Sequence, residues 1–178
     1  VNYLRTQRDP AISERARRLF GPVPVQRPEA VKLFKPALSL KGTAARGGQV
    51  FFVRCAACHQ RGGAIPAIGP DLTAAKIYGR EKVLTAILEP NVGARRDFLT
   101  YVVEMADGES LIGLLRDQNP ATITLQVLSG AQVLLPRANV QYLQAQPWSL
   151  MPEGVEVGLT PQGMADLLEY IVRLTATP

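Results

Sequence analysis

Residues 54–60 read RCAACHQ, and this window holds both cysteines and the single histidine of the 178-residue chain. Few chemistries use two thiols three positions apart with an imidazole directly after them. A disulfide framework needs cysteines spread along the chain, and structural zinc sites take four ligands, usually from two separated pairs. A thioredoxin-like C-x-x-C motif would lie in a βαβ setting, which the flanking residues do not offer. The remaining interpretation is C-x-x-C-H, the pattern of covalent c-type haem attachment.

In this interpretation Cys55 and Cys58 are the thioether anchors, and His59 is an axial ligand of the iron. The two thiols add to the vinyl groups along one edge of a porphyrin, and the histidine reaches the iron from one face. The predicted cofactor is therefore one covalently bound haem c. Because such haem is attached outside the cytoplasm, the expected location is periplasmic or otherwise extracytoplasmic.

Composition sets wide limits on this interpretation. Hydrophobic residues make up 47% of the chain and charged residues 20%, as in ordinary folded proteins. No apolar run approaches the length of a membrane span, and the first residues do not resemble a signal peptide, so a processed or excised piece is expected. The net charge of +5 arises in residues 1–45, which hold nine basic and three acidic residues. This segment predicts a solvated surface, or else a docking face for an acidic partner; aromatic residues are not interleaved with the charges, so nucleic-acid binding is not expected.

Two helices are expected to position the motif. The first, GTAARGGQVFFVRCAACH, leads into the cysteines, and its Gly47 and Phe51 share a face with Cys55 because they lie at intervals of four. The second, LTPQGMADLLEYIVRL, begins with a good N-cap and a proline at its first position. Its Leu167 and Tyr170 could face the glycine and the phenylalanine where the two helices cross.

This pair of helices resembles the class I cytochromes c. The resemblance implies that the carbonyl of Pro70, in the sequence GPDL, orients the histidine ring, and that Leu72 touches the porphyrin. It also implies a methionine as the sixth iron ligand, in the loop before the terminal helix, where Met151 lies in SLMPEGVE. The other methionines, Met105 and Met164, are expected to be packing residues. The haem-binding set also includes Phe51.

The interval between His59 and Met151 is longer than in compact members of that class. Within it, residues 97–146 read as about five short strands with turn signals between them, which favours a small SH3-like or Sm-like antiparallel β-barrel. The expected fold is therefore a mainly α, class I-like cytochrome c fold with this barrel inserted, α+β overall. The expected domains are a basic helical extension or remnant of an upstream domain over residues 1–41, and a cytochrome c domain over 42–178 interrupted by 97–146.

The arrangement from Leu38 to Leu174 is similar to the haem-binding CxxCH domain first delineated in planctomycetes and verrucomicrobia. Its motifs here are RGGQVFFVRCAACH, GPDL, ILEPN and SLMPEGVE with the terminal helix. In that family the domain often ends large multidomain proteins, after a helical-repeat or propeller-like neighbour. The resemblance implies that catalytic chemistry lies in those other domains.

The favoured hypothesis is an electron-transfer module and not an enzyme, carrying single electrons between a dehydrogenase-type donor and a downstream acceptor. These expectations class the chain as a haem-containing, metal-binding protein of electron transport. An alternative is a haem enzyme or gas sensor with a labile sixth ligand, whose polar neighbours would be Tyr142, Trp148 and Arg137. For Trp148 a hydrogen bond to a haem propionate is the preferred role. A third hypothesis makes the barrel an interaction module for RNA or peptides.

Overall fold

The computed structural model describes residues 8–20, 26–59, 67–92 and 96–174. The chain divides into two compact units. The sheet unit comprises Val1–Val25 and Asn91–Leu150, and the helical unit comprises Gln26–Pro90 and Met151–Pro178. Expectations for residues 1–7 and 21–25 of the N-terminal extension lie outside the described residues. Within the described part of the chain, no helix is both long and apolar enough to cross a membrane.

The described helices and strands alternate in groups along the chain. The helices are α1 (Pro10–Phe20), α2 (Pro28–Phe34), α3 (Ala44–Arg54), α4 (Ala56–His59), α5 (Ala75–Leu88) and α6 (Pro161–Val172). The strands are β1 (Leu99–Met105), β2 (Ser110–Gln118), β3 (Thr122–Val127), β4 (Gln132–Pro136) and β5 (Val140–Ser149). Short 3₁₀ turns lie at Lys35–Leu38, Arg96–Phe98 and Arg137–Asn139. Helix α5 is broken near its start by Gly79, whose φ of 78° is outside the helical region and suits glycine.

The core of the helical unit includes the segment that begins at residue 26. Phe34 and Ala37, from α2 and the 3₁₀ turn after it, are buried against Leu88 of α5 and Leu168 of α6. Burial of such side chains stabilises a fold by roughly 1.5–3 kcal/mol each. The compact helical unit therefore starts at Gln26, and residues 26–41 are part of it, whereas the sequence suggested a boundary at 41.

Helices α3 and α6 cross at very close range. A Cβ atom on Gly47 would lie 1.9 Å from the carbonyl oxygen of Asp166, and one on Gly42 would lie 2.2 Å from that of Ala165. Both distances are far below van der Waals contact, so only glycine is compatible with this crossing. The rings of Phe51 and Tyr170 meet beside it, with centroids 5.1 Å apart. The glycines therefore fix how closely the cysteine-bearing helix approaches the terminal helix.

A buried carboxylate fastens the start of α3 at the same crossing. Asp166 accepts hydrogen bonds from the backbone N–H of Thr43 (2.7 Å), from Nε of Arg46 (2.7 Å) and from the amide of Gln162 (3.2 Å). The hydrogen bond from the Arg46 guanidinium is the main cause that lowers the pKa of Asp166 below 3.8. Thr43 itself makes no side-chain cap, so the N-terminus of α3 is capped from α6.

The sheet unit is built on one antiparallel sheet with the strand order β4-β3-β2-β1-β5. Its core comprises the buried residues Val103, Met105, Ile123, Leu125 and Leu135. Irregular register interrupts the pairing of β1 with β5 and of β2 with β3. Gly113 is needed in β2 because a Cβ there would lie 2.3 Å from the carbonyl oxygen of Gln126 on the neighbouring strand.

The expected fold class is wrong in its main feature. The chain is α+β, but it is not a mainly α cytochrome c fold, because residues 99–149 form a five-stranded antiparallel sheet with its own apolar core. Strands β4 and β5 are the first and last in the strand order of this sheet, and the predicted SH3-like or Sm-like barrel over residues 97–146 stays a prediction. The physical reason is that alternating apolar residues over 99–149 bury one sheet face in a core of its own.

Candidate functional site

The chain makes a tight turn through the cysteine-containing motif. Helix α3 ends at Arg54, and Cys55 donates its backbone N–H to the carbonyl of Phe51 (2.8 Å). The carbonyl of Cys55 then accepts from the N–H groups of Cys58 (3.1 Å) and His59 (2.9 Å), which closes the one-turn helix α4. Both thiols and the imidazole thus lie on one short, hydrogen-bonded turn.

The ring of His59 is oriented by the segment that follows the undescribed residues 60–66. Its Nδ1 lies 2.9 Å from the carbonyl oxygen of Pro70. Because a carbonyl only accepts, Nδ1 carries the proton and donates it, and Nε2 is the nitrogen that remains to bind a metal ion. The sequence-predicted partner, Pro70, is therefore within hydrogen-bond distance of the histidine.

Sequence reasoning missed Gly69, which makes this contact possible. Its N–H donates to the carbonyl of Cys58 (2.7 Å), and a Cβ at this position would lie 2.6 Å from Cε1 of His59. Any larger residue would push the backbone away from the imidazole. The available signal was the glycine directly before the proline, which the sequence alone also explains as an ordinary Gly-Pro turn.

Burial sets the protonation state of the motif. The pKa of His59 is lowered by burial, and its hydrogen bond to Pro70 opposes this effect only in part. Burial raises the pKa of the Cys55 thiol to about 11. A neutral imidazole suits metal binding, whereas a thiol that stays protonated at neutral pH is a poor redox nucleophile. The burial of Cys55 therefore disfavours a thioredoxin-like redox role for this cysteine.

The expected classification as a metal-binding protein is wrong for the residues that the structure describes. Among the described residues, no group of three or more His, Cys, Asp or Glu side chains could hold a metal ion. Neither a ligand cluster nor the comparisons below support the wider classification as an iron- and haem-containing protein of electron transport. The physical reason is that the described side chains, His59, Cys55 and Cys58 included, form no complete coordination shell of protein ligands.

Several predicted site residues belong to the helical core or pack against it. Phe51 is buried, and Cys55, Leu72 and Met151 are partly buried apolar side chains packed against the same core. We call Cys55, Leu72 and Met151 the apolar rim. Met151 comes from the loop before α6, and Leu72 follows the Pro70 segment. The helical unit therefore gathers the cysteines, the histidine, Phe51, Leu72 and Met151.

The other predicted residues lie elsewhere. Met105 is buried in the sheet core, and Met164 is fully buried in the helical core, as expected of packing residues. Trp148 lies on β5 of the sheet unit with 44% of its surface exposed, and Tyr142 is exposed on the same strand. Arg137 is exposed and donates to the side chain of Gln118. No described contact tests the assignment of Trp148 to a haem propionate.

The described residues fit a covalently held haem in three respects. Two unbridged cysteines stand at the required spacing, the histidine has one nitrogen fixed by a backbone acceptor, and the apolar rim packs against the core of the same unit. Cys55 and Cys58 would form the thioethers, His59 would bind the iron, and Met151 is placed on a loop of the same unit. The porphyrin would itself supply the equatorial nitrogen ligands that the side chains lack.

The loop between Met151 and α6 is held by contacts that the sequence did not predict. Arg54 donates to the carbonyls of Val155 (2.7 Å) and Val157 (2.9 Å). Glu156 is buried and forms an ion pair with Arg27 at 2.6 Å. These partners lie about a hundred positions apart in the sequence, beyond the reach of any local pattern.

Comparisons with known proteins add little. No protein-family model matches the chain, and no curated protein matches it. A solved structure of the pleiotropic translational regulator Hfq is similar over 36% of this chain and 95% of its own, with 14% identity and a TM-score of 0.25. A similarity this low supports no conclusion about fold or function. The resemblance to the haem-binding CxxCH domain therefore stays a prediction.

Proposed function

We propose that this chain is an electron-transfer protein that carries one haem c, attached to Cys55 and Cys58, with His59 and Met151 as axial ligands. The observation that carries the proposal is the hydrogen bond from Nδ1 of His59 to the carbonyl of Pro70, 2.9 Å long, next to two unbridged cysteines. Metal-binding histidines in proteins almost always donate their second ring nitrogen in this way. A buried histidine with no such task would not need a glycine pressed against its ring.

Methionine as the second axial ligand favours electron transfer over ligand chemistry. A thioether and an imidazole together fill both axial positions and raise the reduction potential of the iron. Among the described residues, no other histidine stands ready as a distal acid or base, since His59 is the only one in the chain. The protein's part is then to hold the ligands, exclude water and present the cofactor to partner proteins.

The partners under this proposal are a donor protein and an acceptor protein that meet the chain briefly. The location would be outside the cytoplasm, where c-type haem is attached. Neither nucleic acid nor a membrane is required for this role.

The first experiment is an absorption spectrum of the haem-loaded, reduced protein with and without carbon monoxide. We expect a low-spin c-type spectrum that carbon monoxide leaves unchanged, because Met151 occupies the sixth position. Met151→Leu should open that position and give a carbonmonoxy spectrum at once. Met105→Leu is the matched control, since this methionine is buried in the core of the sheet unit, and it should behave like the wild type.

Two outcomes would contradict the proposal. If the wild type binds carbon monoxide as readily as Met151→Leu does, the sixth position is open and a haem enzyme or sensor becomes the better interpretation. If haem can be extracted from the wild type with acidic acetone, as it should be from the double variant Cys55→Ala/Cys58→Ala, then no covalent attachment exists.

A further inference from the structure

We infer that Arg54 is a positioning residue for Met151. Arg54 is the last residue of α3 and directly precedes Cys55, so it belongs to the helix that carries the attachment cysteines. Its guanidinium reaches the loop that begins with Met151. The inference rests on the proposed function, since the position of Met151 matters to an iron only if a haem is bound.

A single guanidinium nitrogen makes both contacts. Nη1 of Arg54 donates to the carbonyl oxygen of Val155 at 2.7 Å and to that of Val157 at 2.9 Å. Hydrogen bonds from a charged donor are stronger than those between neutral groups. The guanidinium group of arginine is planar and holds its N–H donors in fixed directions, which suits binding to two carbonyl oxygens at once. The ammonium group of a lysine is a point charge on a flexible chain and would hold the two carbonyls less firmly. Arg54 therefore joins the loop to the cysteine helix through the loop's main chain.

The backbone conformation of the loop leaves the carbonyls of Val155 and Val157 available to the guanidinium group of Arg54. Gly154 and Gly158 have φ values of 89° and 82°, in the left-handed region that glycine readily adopts. Two turns follow from this backbone, with Val157 N–H donating to the carbonyl of Gly154 and Leu159 N–H donating to that of Glu156. The carbonyls of Val155 and Val157, two residues apart, are left to accept from Arg54.

A second contact holds the loop from a different element. Glu156 is buried, and its Oε1 accepts from Nη2 of Arg27, whose Nη1 donates to the carbonyl of Leu88 at the end of α5. This pair ties the loop to α5, not to the cysteine helix. Because Glu156 is buried, removing Arg27 would leave a buried carboxylate without its ion-pair partner and destabilise the whole unit. Arg54 is exposed, so its contacts can be weakened without that penalty.

The consequence concerns the sixth axial position. If Arg54 holds the loop closed over the helix, weakening its two bonds should raise the fraction of molecules in which Met151 has left the iron. An external ligand binds in proportion to that fraction. For Arg54→Lys we therefore expect covalent haem at the wild-type level and a carbon monoxide affinity about tenfold higher in the reduced protein.

The test compares three haem-loaded proteins: the wild type, Arg54→Lys and Arg46→Lys. Arg46 is a matched control, because it lies on the same helix and bonds a carboxylate of α6, not the loop. Two quantities are measured, carbon monoxide binding to the reduced protein and hydrogen exchange of the backbone amides in residues 151–160. We expect only Arg54→Lys to bind carbon monoxide more tightly and to exchange the loop amides faster, by about tenfold.

The outcomes separate this inference from the proposed function. If hydrogen exchange of the loop amides is unchanged in Arg54→Lys, the inference is overturned and the proposed function is not. An equal increase in exchange in Arg54→Lys and Arg46→Lys would also overturn the inference, because it would indicate general destabilisation. Faster loop exchange with unchanged carbon monoxide binding also overturns it, because the loop would then open without releasing Met151. A wild type that binds carbon monoxide at once overturns the proposed function itself, and the role of Arg54 toward Met151 with it.

Discussion

At the scale of single residues, the backbone of Gly69 lies directly against the ring of His59. A Cβ there would come within 2.7 Å of Nδ1 and 3.0 Å of the carbonyl oxygen of Cys58. Gly69→Ala should therefore displace Pro70, break its hydrogen bond to the histidine and lower the free energy of unfolding by about 1–3 kcal/mol. Urea denaturation of the haem-loaded protein measures this loss.

The control for this variant is Gly163→Ala. Gly163 lies in the first turn of α6, where an added Cβ would have its nearest neighbour at 3.6 Å, an ordinary contact. Alanine is a better helix former than glycine, so this variant should be neutral or more stable by up to about 1 kcal/mol. Equal losses of stability in both variants would show that the cost at Gly69 has nothing to do with the imidazole.

Sequence reasoning succeeded for residues whose partners are near in the chain and failed where they are distant. The motif is contiguous, and Pro70 lies 11 positions after His59, so their pairing could be expected. Arg54 bonds carbonyls 101 and 103 positions away, and those acceptors are main-chain atoms that carry no residue-specific signal. No pattern within the sequence could have identified that contact.

At the scale of elements, Asp166 couples the pairing of α3 and α6 to pH. Its pKa in the folded protein is lowered, chiefly by the hydrogen bond from Arg46, whereas in the unfolded chain it has its ordinary value of 3.8. The carboxylate therefore contributes its full stability above that value, and the contribution is lost as the pH falls through 3.8 toward the folded pKa.

The corresponding variant is Asp166→Asn. At pH 7 we expect it to be less stable than the wild type by about 1–2 kcal/mol, because two hydrogen bonds from Arg46 lose their charged acceptor. Thermal unfolding followed by circular dichroism between pH 3 and pH 7 should show a shallower acid decline in the variant. Parallel curves for the two proteins would mean that Asp166 titrates alike in the folded and unfolded states.

The same carboxylate shows why element boundaries were only partly predictable. Thr160 caps α6 through its hydroxyl, which accepts from the N–H of Gly163 at 3.1 Å, so that local prediction is confirmed. Thr43 has an equally suitable side chain but does not use it, since its N–H is bonded to Asp166. When the capping group comes from another helix, the residues around the helix start do not reveal it, so it cannot be predicted from the local sequence.

At the scale of the whole molecule, the two units have separate cores. Under the proposed function, each unit also has its own spectroscopic probe of unfolding. Trp148, the only tryptophan, lies in the sheet unit, while the helical unit would carry the haem. Leu125→Ala and Leu168→Ala each remove a fully buried leucine, one from each core, and each should cost about 2–5 kcal/mol.

The two probes should respond to different variants. We expect Leu125→Ala to shift the urea transition of Trp148 fluorescence more than that of haem absorbance, and Leu168→Ala to do the reverse. The alternative is a single cooperative transition in which both probes shift together in both variants. That result would mean that the two cores unfold as one.

The expected fold class is wrong because the strands count for more in this structure than the helical motif residues suggest. Strands were expected within residues 97–146, and the structure has them from Leu99 to Ser149. The motif residues Cys55, Cys58 and His59 lie on helices and Met151 in a loop, so the chemical pattern favours a helical domain with the strands as an insertion. Strand alternation predicts that a sheet has a buried face, but it does not predict that the face completes a core large enough to form a unit.

The two ends of the segment 91–150, which contains the sheet, lie side by side. This proximity affects how easily helices α3 and α6 pair during folding. Ser149 donates its N–H to the side chain of Asn91 at 2.8 Å, and Leu99 pairs with Ser149 across β1 and β5. Residues 91–150 separate α5 from α6, so an unfolded segment would make α6 close a long loop to reach α3. A sheet that folds first removes residues 91–149 from that loop, roughly halves its length, and lowers the chain-entropy cost of closing it by about 0.6 kcal/mol.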